Sequence, residues 1–288
     1  MQYYGNVFRP PSEARSLIIQ ATVGCSHNSC TFCYMYKDDD FRIRPLEDIK
    51  KDLIEMSSYK DYFERIFLAD GDALILKTED LVEILRTIKE YYPNVNRVSS
   101  YATAQDINRK SLEELKTLRE EGLEMLYIGF ETGDEDLLKE IQKGISYEEY
   151  VTAMKKAKEA GFKTSVTIIA GLGGVDGMER NAIGTAKLVS ETKPDFLGYL
   201  TMRIYKNTPL YADYISGKFK MPDAGEILEE MKIFLDHVDS EGTVFRSNHA
   251  SNYVLLAGNL NEDREALIKS IEKTLKKKNF RPDVLRGF

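Results

Sequence analysis

The chain has 288 residues, 42% of them hydrophobic and 30% charged, with a formal net charge of −7. This composition is typical of a globular protein, and the acidic balance argues against a surface built to coat nucleic acid. No stretch approaches the roughly 18 uninterrupted apolar residues of a membrane span. The first residues lack a charged region followed by an apolar one, so we expect no secretory signal, no membrane partner and a cytoplasmic location.

Short β-rich runs alternate with amphipathic helical runs along the chain. In chain order we expect a strand at 16–23, a helix at 46–56, a strand at 65–70, a helix at about 78–90, a strand at 96–102, a helix from Ser111 to Gly122, a strand at 125–131, a helix from Ser146 to Gly161, a strand at 163–171, a helix at about 179–191 and a strand at 195–205. A helix near 225–238, a short strand at 243–247 and a helix near 263–278 follow. Ser111 and Ser146, each with Glu three residues later, form capping boxes.

The β-then-α series predicts an α/β fold with parallel strands, arranged either as a barrel or as an open doubly wound sheet. We expect one domain over residues 1–288, with a core at about 15–210 and a C-terminal extension at about 211–288. Functional residues of such folds gather at the carboxyl ends of the strands. The residues at those ends are Cys25, Asp70, Tyr101, Glu131 and Gly171.

All three cysteines of the chain, Cys25, Cys30 and Cys33, lie in one nine-residue window. An odd number of cysteines placed so closely does not form a disulfide framework. Three thiolates can hold a [4Fe–4S] cluster with one iron open to a further ligand, or they can bind zinc together with His27. Structural zinc sites usually combine two short chelating segments, and this chain has one. Three unligated cysteines remain the third alternative.

The cysteine window and the motifs after it resemble the radical S-adenosylmethionine (SAM) superfamily over about residues 15–210. The first motif reads GCSHNSCTFCYMYK; the later motifs ETG, QKG, GLGG and YLTMRIYKNTPLY resemble the branch of oxygen-independent coproporphyrinogen oxidase and the Elongator catalytic subunit. The family usually has three residues and then two between its cysteines, whereas this chain has four and then two. The resemblance implies a partial (β/α)6 TIM-like barrel of parallel strands with a C-terminal α/β extension.

The resemblance also implies two cofactors, a [4Fe–4S] cluster and SAM, and a set of residues that bind them. Cys25, Cys30 and Cys33 match the cluster ligands, and the open iron would be chelated by the amino and carboxylate groups of SAM. The residues matching SAM-binding positions are Tyr34 and Ile169 near adenine, Asp70, Gly71 and Asp72 at the ammonium group, Ser100 on the third strand, Glu131 at the ribose hydroxyls and Lys143 at the carboxylate. A helix cap is the alternative role for Glu131, although Asp134 suits it better, and a solvated surface position is the alternative for Lys143.

The chemistry that the resemblance implies is that of an oxygen-sensitive radical enzyme. An electron donor such as flavodoxin or ferredoxin reduces the cluster, SAM is cleaved to methionine and a 5′-deoxyadenosyl radical, and the radical removes hydrogen from a small or medium-sized organic substrate. Tyr101, Tyr199 and Tyr205 are candidates to donate a proton or hydrogen, with ring packing as the alternative. Candidates to contact substrate are Arg203, Arg246, Asn248, His249 and Asn252; an outward salt bridge for Arg203 and a polar hairpin turn for the others are the alternatives.

Two other functions stay open at this point. One is a carrier that keeps the same fold and binds haem or another tetrapyrrole without converting a substrate. The other is a scaffold stabilised by zinc bound to the three cysteines and His27. The kind of fold does not by itself decide among these functions.

Overall fold

The computed structural model describes residues 1–286, which form two compact units. The first unit contains residues 1–28, 33–128 and 152–164. The second contains residues 29–32, 129–151 and the chain from Ser165 onward. The organisation as one domain with a core and an extension stays a prediction.

The strands and helices alternate along most of the chain. The strands are β1 (Leu17–Gln20), β2 (Thr22–Val23), β3 (Arg42–Ile43), β4 (Arg65–Ala69), β5 (Arg97–Ala102), β6 (Leu123–Glu131), β7 (Lys163–Ala170), β8 (Phe196–Thr201), β9 (Val244–Arg246) and β10 (Ala257–Asn259). The helices are α1 (Leu46–Met56), α2 (Thr78–Tyr91), α3 (Ala104–Arg109), α4 (Leu112–Glu120), α5 (Glu135–Glu140), α6 (Tyr147–Glu159), α7 (Gly174–Thr192), α8 (Pro209–Ile215), α9 (Ala224–His237) and α10 (Arg264–Lys277). Within residues 1–286, no helix has both the length and the apolar character needed to cross a bilayer.

In the first unit, β1, β4, β5 and the beginning of β6 are parallel neighbours in that order. Residues 66–69 of β4 are fully buried, as expected for a parallel strand that is covered on both faces. The helix α1 buries Ile49 and Leu53, which are four residues apart and therefore lie on one face. The strands thus bring the residues that follow β1, β4 and β5 to one edge.

In the second unit, β7, β8 and β9 are parallel neighbours, and β10 pairs with β9 in the antiparallel direction. Every second residue of β7 is buried, including Val166, Ile168 and Ala170. The helices α7 and α9 contact each other, and α9 presents Ile227 and Phe234 to the core. Both units therefore have parallel strands covered by helices, which confirms the predicted α/β class.

The predicted strands and long helices all appear, but two strand predictions are wrong in extent. The single strand expected at 16–23 is divided at Ala21 into β1, which pairs with β4, and β2, which pairs with β3 in a separate two-stranded sheet. The strand expected at 195–205 ends at Thr201. Its apolar run continues, yet the chain then turns: the Met202 N–H donates to the Ala170 carbonyl, and the Thr208 N–H and hydroxyl both donate to the Tyr205 carbonyl. The helices α3, α5 and α8 were not predicted, because six or seven residues are too few for a periodic hydrophobic signal.

The segment before β1 is held at two separate points in the first unit. The Phe8 N–H donates to Asp70 Oδ1 at 3.3 Å. The buried Glu13 carboxylate accepts from Arg97 Nη2 and from the Tyr127 hydroxyl, each at 2.6 Å. These hydrogen bonds tie the segment to the first unit and keep it ordered.

Candidate functional site

Gly71 follows β4 directly and lies against the beginning of the cysteine window. A Cβ atom at this position would come within 2.7 Å of the Gly24 carbonyl oxygen and within 2.9 Å of both Cα and Cβ of Cys25. Real Cβ atoms essentially never make such contacts. Glycine is therefore required here by the close approach of the Cys25 backbone.

Gly71→Ala is expected to displace Cys25 and to lower the iron content of the anaerobically reconstituted protein several-fold. Overpacking of this kind costs about 1–3 kcal/mol, since none of the three neighbouring atoms belongs to the far end of a flexible side chain. The measurement is iron and sulfide per chain. Gly198→Ala is the matched control, because its new Cβ would meet its nearest neighbour at 3.7 Å, an ordinary contact. Equal iron content in the two variants would contradict the prediction.

Asp70 uses its carboxylate to hold other parts of the first unit. Besides the Phe8 N–H, Oδ1 accepts the Tyr36 hydroxyl at 2.6 Å, and Oδ2 accepts Gln20 Nε2 at 3.2 Å. Burial raises the pKa of Asp70 to about 6, although its hydrogen bonds act in the opposite direction. The structure thus gives Asp70 a positioning role; its predicted contact with SAM stays a prediction. Neither Tyr36 nor Gln20 was predicted to belong to the site.

Asp72 is a fully buried acid with an unused hydrogen-bond acceptor. Its Oδ2 accepts the Ser26 hydroxyl, while its Oδ1 has no hydrogen-bond donor in the structure. Burial, followed by the neighbouring Asp106 carboxyl, raises the pKa of Asp72 well above its ordinary value. A buried carboxyl with a free lone pair is suited to a cationic group that arrives with a ligand. Neither Ser26 nor Asp106 was predicted to belong to the site.

Glu131 and Lys143 were predicted separately, and the second unit brings them together. Lys143 Nζ donates to Glu131 Oε1 at 2.9 Å, and the two side chains are only 17% and 13% exposed. The solvated surface position considered for Lys143 is therefore wrong. Asp134, not Glu131, caps the following helix, since its Oδ1 accepts the Leu137 N–H. Glu131 has a φ of +64°, a left-handed conformation that is uncommon for a glutamate and is found at functional sites.

The environment of this ion pair explains why it persists. A Cβ at Gly129 would overlap Glu131 Oε1 at 2.1 Å, so glycine leaves the space that the pair needs. The Tyr150 hydroxyl donates to the Gly129 carbonyl at 2.9 Å. Burial alone would lower the pKa of Lys143, but Glu131, together with the nearby Tyr150 and Cys30, holds that pKa well above its ordinary value. Lys143 is thus a charged lysine close to one of the cysteines.

The predicted aromatic and hydroxyl candidates occupy different surroundings. Tyr34 packs edge-on against Phe8 at 6.2 Å, and the Ser100 hydroxyl donates to the Tyr101 carbonyl at 2.8 Å. The Tyr101 ring lies 4.8 Å from Phe67. These three residues belong to the first unit, and their contact with SAM or substrate stays a prediction.

The two other tyrosine candidates belong to the second unit. Tyr199 is buried against Phe234 and Phe245, and burial raises its pKa well above 10. The structure therefore uses Tyr199 for core packing. Tyr205 is half-buried and lies under the Arg203 guanidinium, 5.6 Å from it. Tyr205 is thus the more accessible of the two.

The polar segment after β9 divides into exposed and buried residues. Arg246 and Asn248 are exposed, and Arg246 donates to the carbonyls of Phe245 and Gly258. His249 is half-buried, and burial followed by the charge of Arg203 lowers its pKa. Of the substrate candidates, Arg203 and His249 are the two that the structure brings into electrostatic contact.

Asn252 has a role that differs from the predicted substrate contact. Its side chain is fully buried, its Oδ1 accepts the Thr201 hydroxyl at 2.9 Å, and its Nδ2 donates to the Tyr199 carbonyl at 2.6 Å. Both ends of the amide are therefore used to fasten the tail to β8. Burial and internal bonding leave this side chain no part that faces a substrate.

The glycine-rich turn after β7 is confirmed. Gly171 and Gly174 have φ values of +80° and +65°, which glycine adopts at no steric cost. Ile169, predicted to lie near adenine, is half-buried, and its carbonyl accepts a hydrogen bond from Asn181 Nδ2 at 3.2 Å. Beneath the turn, the buried Glu230 accepts the Gly171 N–H at 2.7 Å. Glu230 was not among the predicted site residues.

The cysteines differ in exposure: Cys30 is buried, whereas Cys25 and Cys33 are half-buried. In the part of the chain that the structure describes, no group of three or more His, Cys, Asp or Glu side chains is arranged to hold a metal ion. Assignment of the three cysteines and His27 as metal ligands therefore depends on the sequence window and on the family.

A model of the radical SAM superfamily matches residues 19–183 of the chain, a range that contains the whole cysteine window. This range is more than half of the chain. The chain belongs to the radical SAM superfamily. Radical SAM proteins use a [4Fe–4S] cluster and SAM, which confirms the two cofactors expected from the sequence.

Similar radical SAM proteins include a curated relative and several solved structures. The chain is 24% identical over 180 residues to the Heme chaperone HemW of Bacillus subtilis, an alignment that covers 62% of this chain and 46% of HemW. Methylornithine synthase (PylB) superposes with a TM-score of 0.55 and 21% identity, covering 93% of this chain and 82% of PylB. HemN, the coproporphyrinogen III oxidase from Escherichia coli, superposes with a TM-score of 0.57 and 20% identity, covering 77% of this chain and 54% of HemN.

These similarities confirm the expected fold, a partial TIM-like barrel, and a coproporphyrinogen oxidase, the kind of enzyme that the sequence motifs resemble, is among the structures that share it. The chain spans about half the length of the curated relatives it matches. Since HemW is described as a chaperone and HemN as an enzyme, membership of the superfamily alone does not assign a reaction.

Proposed function

We propose that the chain is a radical SAM enzyme, with Cys25, Cys30 and Cys33 as the ligands of its [4Fe–4S] cluster. The observation that carries this proposal is the family match, which includes all three thiols of the chain. When bound, the reduced cluster supplies the electron that cleaves SAM to methionine and a 5′-deoxyadenosyl radical, which removes hydrogen from the substrate. The donor set fits, because three thiolates leave one iron for SAM.

The residues of the first unit supply the space and the acceptor for the methionine part of SAM. Gly71 allows the chain to pass close to Cys25. Asp72 offers its unpartnered Oδ1 to the SAM ammonium group, while Ser26 keeps the other carboxyl oxygen in place. A bound cation favours the ionised form of Asp72, so the ammonium group and the carboxylate stabilise each other in this buried position.

Residues of the second unit have hydrogen-bonding groups that are available to the ribose, carboxylate and adenine of SAM. Glu131 uses Oε1 for Lys143, which leaves Oε2 to accept the ribose hydroxyls. Lys143 has further N–H donors and pairs with the SAM carboxylate. The turn at Ile169 and Gly171 presents backbone to adenine. The ion pair orients both side chains before SAM arrives, which lowers the entropy that binding must overcome.

The proposed substrate is a small or medium-sized organic molecule, and the proposed electron donor is a flavodoxin or a ferredoxin. The half-buried Arg203 and His249 are the candidates to contact the substrate. An acidic surface suits this small-molecule role better than binding to nucleic acid. The cytoplasm is the proposed location.

The match to HemW supports a second candidate function, a carrier on the same fold. Such a carrier would bind haem or another tetrapyrrole without converting it. The two functions make different demands on the cluster. An enzyme must cleave SAM, whereas a carrier must retain the tetrapyrrole unchanged.

Cys30→Ala is expected to abolish the formation of 5′-deoxyadenosine. The wild-type protein is reconstituted anaerobically with iron and sulfide, reductant and SAM are added, and 5′-deoxyadenosine is quantified. Removal of one thiolate leaves two protein ligands, too few to retain the cluster. Ser29→Ala is the matched control, because Ser29 is an exposed residue of the same window. Product that requires Cys30 but not Ser29 supports the enzyme.

The other outcomes of this experiment separate the alternatives. A chain that carries four irons, forms no 5′-deoxyadenosine and binds haem tightly would favour the carrier. A chain that takes up one zinc and no iron would contradict both functions. Because both measurements use the same protein preparation, a loss of activity is compared directly with metal content.

A further inference from the structure

A line of buried polar side chains connects the two turns of the second unit to which we assigned the nucleoside of SAM. The first turn follows β6 and begins at Glu131; the second follows β7 and contains Ile169 and Gly171. The Gly133 N–H of the first turn donates to Thr185 Oγ1 at 2.9 Å, and Thr185 Oγ1 donates to Asn181 Oδ1 at 3.3 Å. Thr185 and Asn181 both lie on α7.

The line continues from Asn181 to the second turn. Asn181 Nδ2 donates to Glu230 Oε1 at 2.6 Å and to the Ile169 carbonyl at 3.2 Å. Glu230, on α9, accepts the Gly171 N–H at 2.7 Å with its other oxygen, Oε2. The backbone N–H of one turn is thereby connected to the backbone of the other turn through three side chains.

The three side chains are almost fully removed from solvent: Glu230 is 1% exposed, Asn181 3% and Thr185 4%. Both oxygens of Glu230 accept N–H groups, an arrangement that favours the ionised carboxylate, which acts only as an acceptor. Burial opposes ionisation and raises the pKa of Glu230 to about 7. Apolar residues of similar size would fill this space at a lower cost in desolvation. The polar side chains therefore serve to hold geometry rather than to stabilise the core.

The surroundings of Glu230 support this reasoning. A small cavity next to it is lined by Ile169, Tyr199 and Phe234, besides residues of α7. These neighbours are apolar or aromatic, so they offer Glu230 no cation. The Gly171 and Asn181 N–H groups are the donors that hold its carboxylate.

We propose that Thr185, Asn181 and Glu230 are positioning residues that hold the ribose-binding and adenine-binding turns at a constant separation, so that both engage the nucleoside of SAM together. This inference rests on the proposed function. None of the three side chains touches SAM; each acts through the backbone of a turn. Loss of a hydrogen bond at one turn should therefore also loosen the backbone of the other turn.

The test replaces Glu230 with Gln, which retains the size and one carbonyl oxygen. An amide can accept with only one of its two ends, so either Gly171 or Asn181 loses its acceptor. We expect the affinity of the reconstituted protein for SAM, measured by anaerobic calorimetry, to fall roughly 10-fold. Glu229→Gln is the matched control, since Glu229 is the exposed neighbour on the same helix, and it should bind SAM like the wild type.

Hydrogen exchange measured by mass spectrometry in the absence of SAM provides a second readout. In Glu230→Gln, exchange should accelerate both in the peptide that contains Gly171 and in the peptide that contains Gly133, although Gly133 does not contact Glu230. A merely local structural role would change only the first peptide. Thr185→Val, compared with Thr185→Ser, which retains the hydroxyl, tests the same connection from the other turn even if the Glu230 variant fails to fold.

Wild-type binding of SAM together with unchanged affinity in both Glu230→Gln and Thr185→Val would overturn this inference alone. Acceleration of exchange confined to the peptide of the altered turn would also overturn it. Failure of the wild-type protein, loaded with its cluster, to bind SAM would overturn the proposed function and this inference with it.

Discussion

Asp72→Asn is expected to stabilise the fold and, at the same time, to weaken the binding of SAM. In the absence of a ligand, Asp72 is a fully buried acid beside a second carboxyl, that of Asp106. The Asn amide keeps an oxygen that accepts the Ser26 hydroxyl, and its NH2 group can donate to the Asp106 carboxyl. It therefore reproduces the hydrogen bonds of a protonated Asp72 and, unlike the acid, has no proton to lose as pH rises. The same change removes the negative charge that we assigned to the SAM ammonium group.

The pH dependence of this effect follows from the direction of the pKa shift. The pKa of Asp72 is raised in the folded protein from an ordinary value of 3.8, so the folded state binds more protons than the unfolded state above about pH 4. The wild-type free energy of unfolding therefore decreases as pH rises, by up to ~1.4 kcal/mol per pH unit from this group. The Asn variant lacks this contribution, so its advantage is small near pH 4 and increases toward pH 8.

The measurement is urea unfolding at several pH values, followed by SAM titration of the reconstituted proteins. Asp40→Asn is the control, because Asp40 is an exposed carboxylate. An Asn variant that is less stable than the wild type at pH 8, or one that binds SAM equally well, would contradict the assignment. Higher stability with weaker binding is the usual compromise at a functional site.

Lys143→Met is expected to lower the free energy of unfolding by about 3–5 kcal/mol, because it leaves the Glu131 carboxylate buried without its cation. Glu131 is 13% exposed, so water reaches its carboxylate poorly, and Lys143 supplies the charged hydrogen bond that this carboxylate accepts. The double variant Glu131→Gln, Lys143→Met removes both charges. We expect it to recover most of the loss, since a neutral pair needs no compensation.

Denaturant unfolding of the single and double variants measures this coupling as a double-mutant cycle. The matched control is Lys139→Met. Lys139 pairs with Glu135 at 3.5 Å, but these side chains are 68% and 43% exposed, so the expected change is within about 0.5 kcal/mol. Equal stability of Lys143→Met and the wild type would show that the Glu131 carboxylate is solvated.

The sequence predicted the regular elements well, because long amphipathic helices and buried strands leave a periodic pattern. The helix α1 begins and ends where that pattern does, at Leu46 and Met56. Positions matched through the radical SAM resemblance, such as Gly71 and Glu131, occupy constrained environments in the structure. Local sequence was sufficient for both kinds of prediction.

The partners of those residues were not predictable, since they come from distant segments. Asp106 reaches Asp72 only after β5 has been placed beside β4, and no pattern within either segment reports this. Glu230 did leave a signal: it lies three residues after Ile227 and four before Phe234, on the apolar face of α9. An acid at such a position indicates a buried partner. The partner itself, the N–H of Gly171, is a product of tertiary structure.

The two attachments of the segment before β1 also bear on synthesis of the chain. The partners of Glu13 are Arg97 and Tyr127, which lie 84 and 114 positions later. At a translation rate of about 5–20 residues per second, Tyr127 leaves the ribosome several seconds or more after Glu13. During that interval the Glu13 carboxylate has no place to be buried. The segment before β1 is thus among the last parts of the first unit to find its position, after β6 has been synthesised.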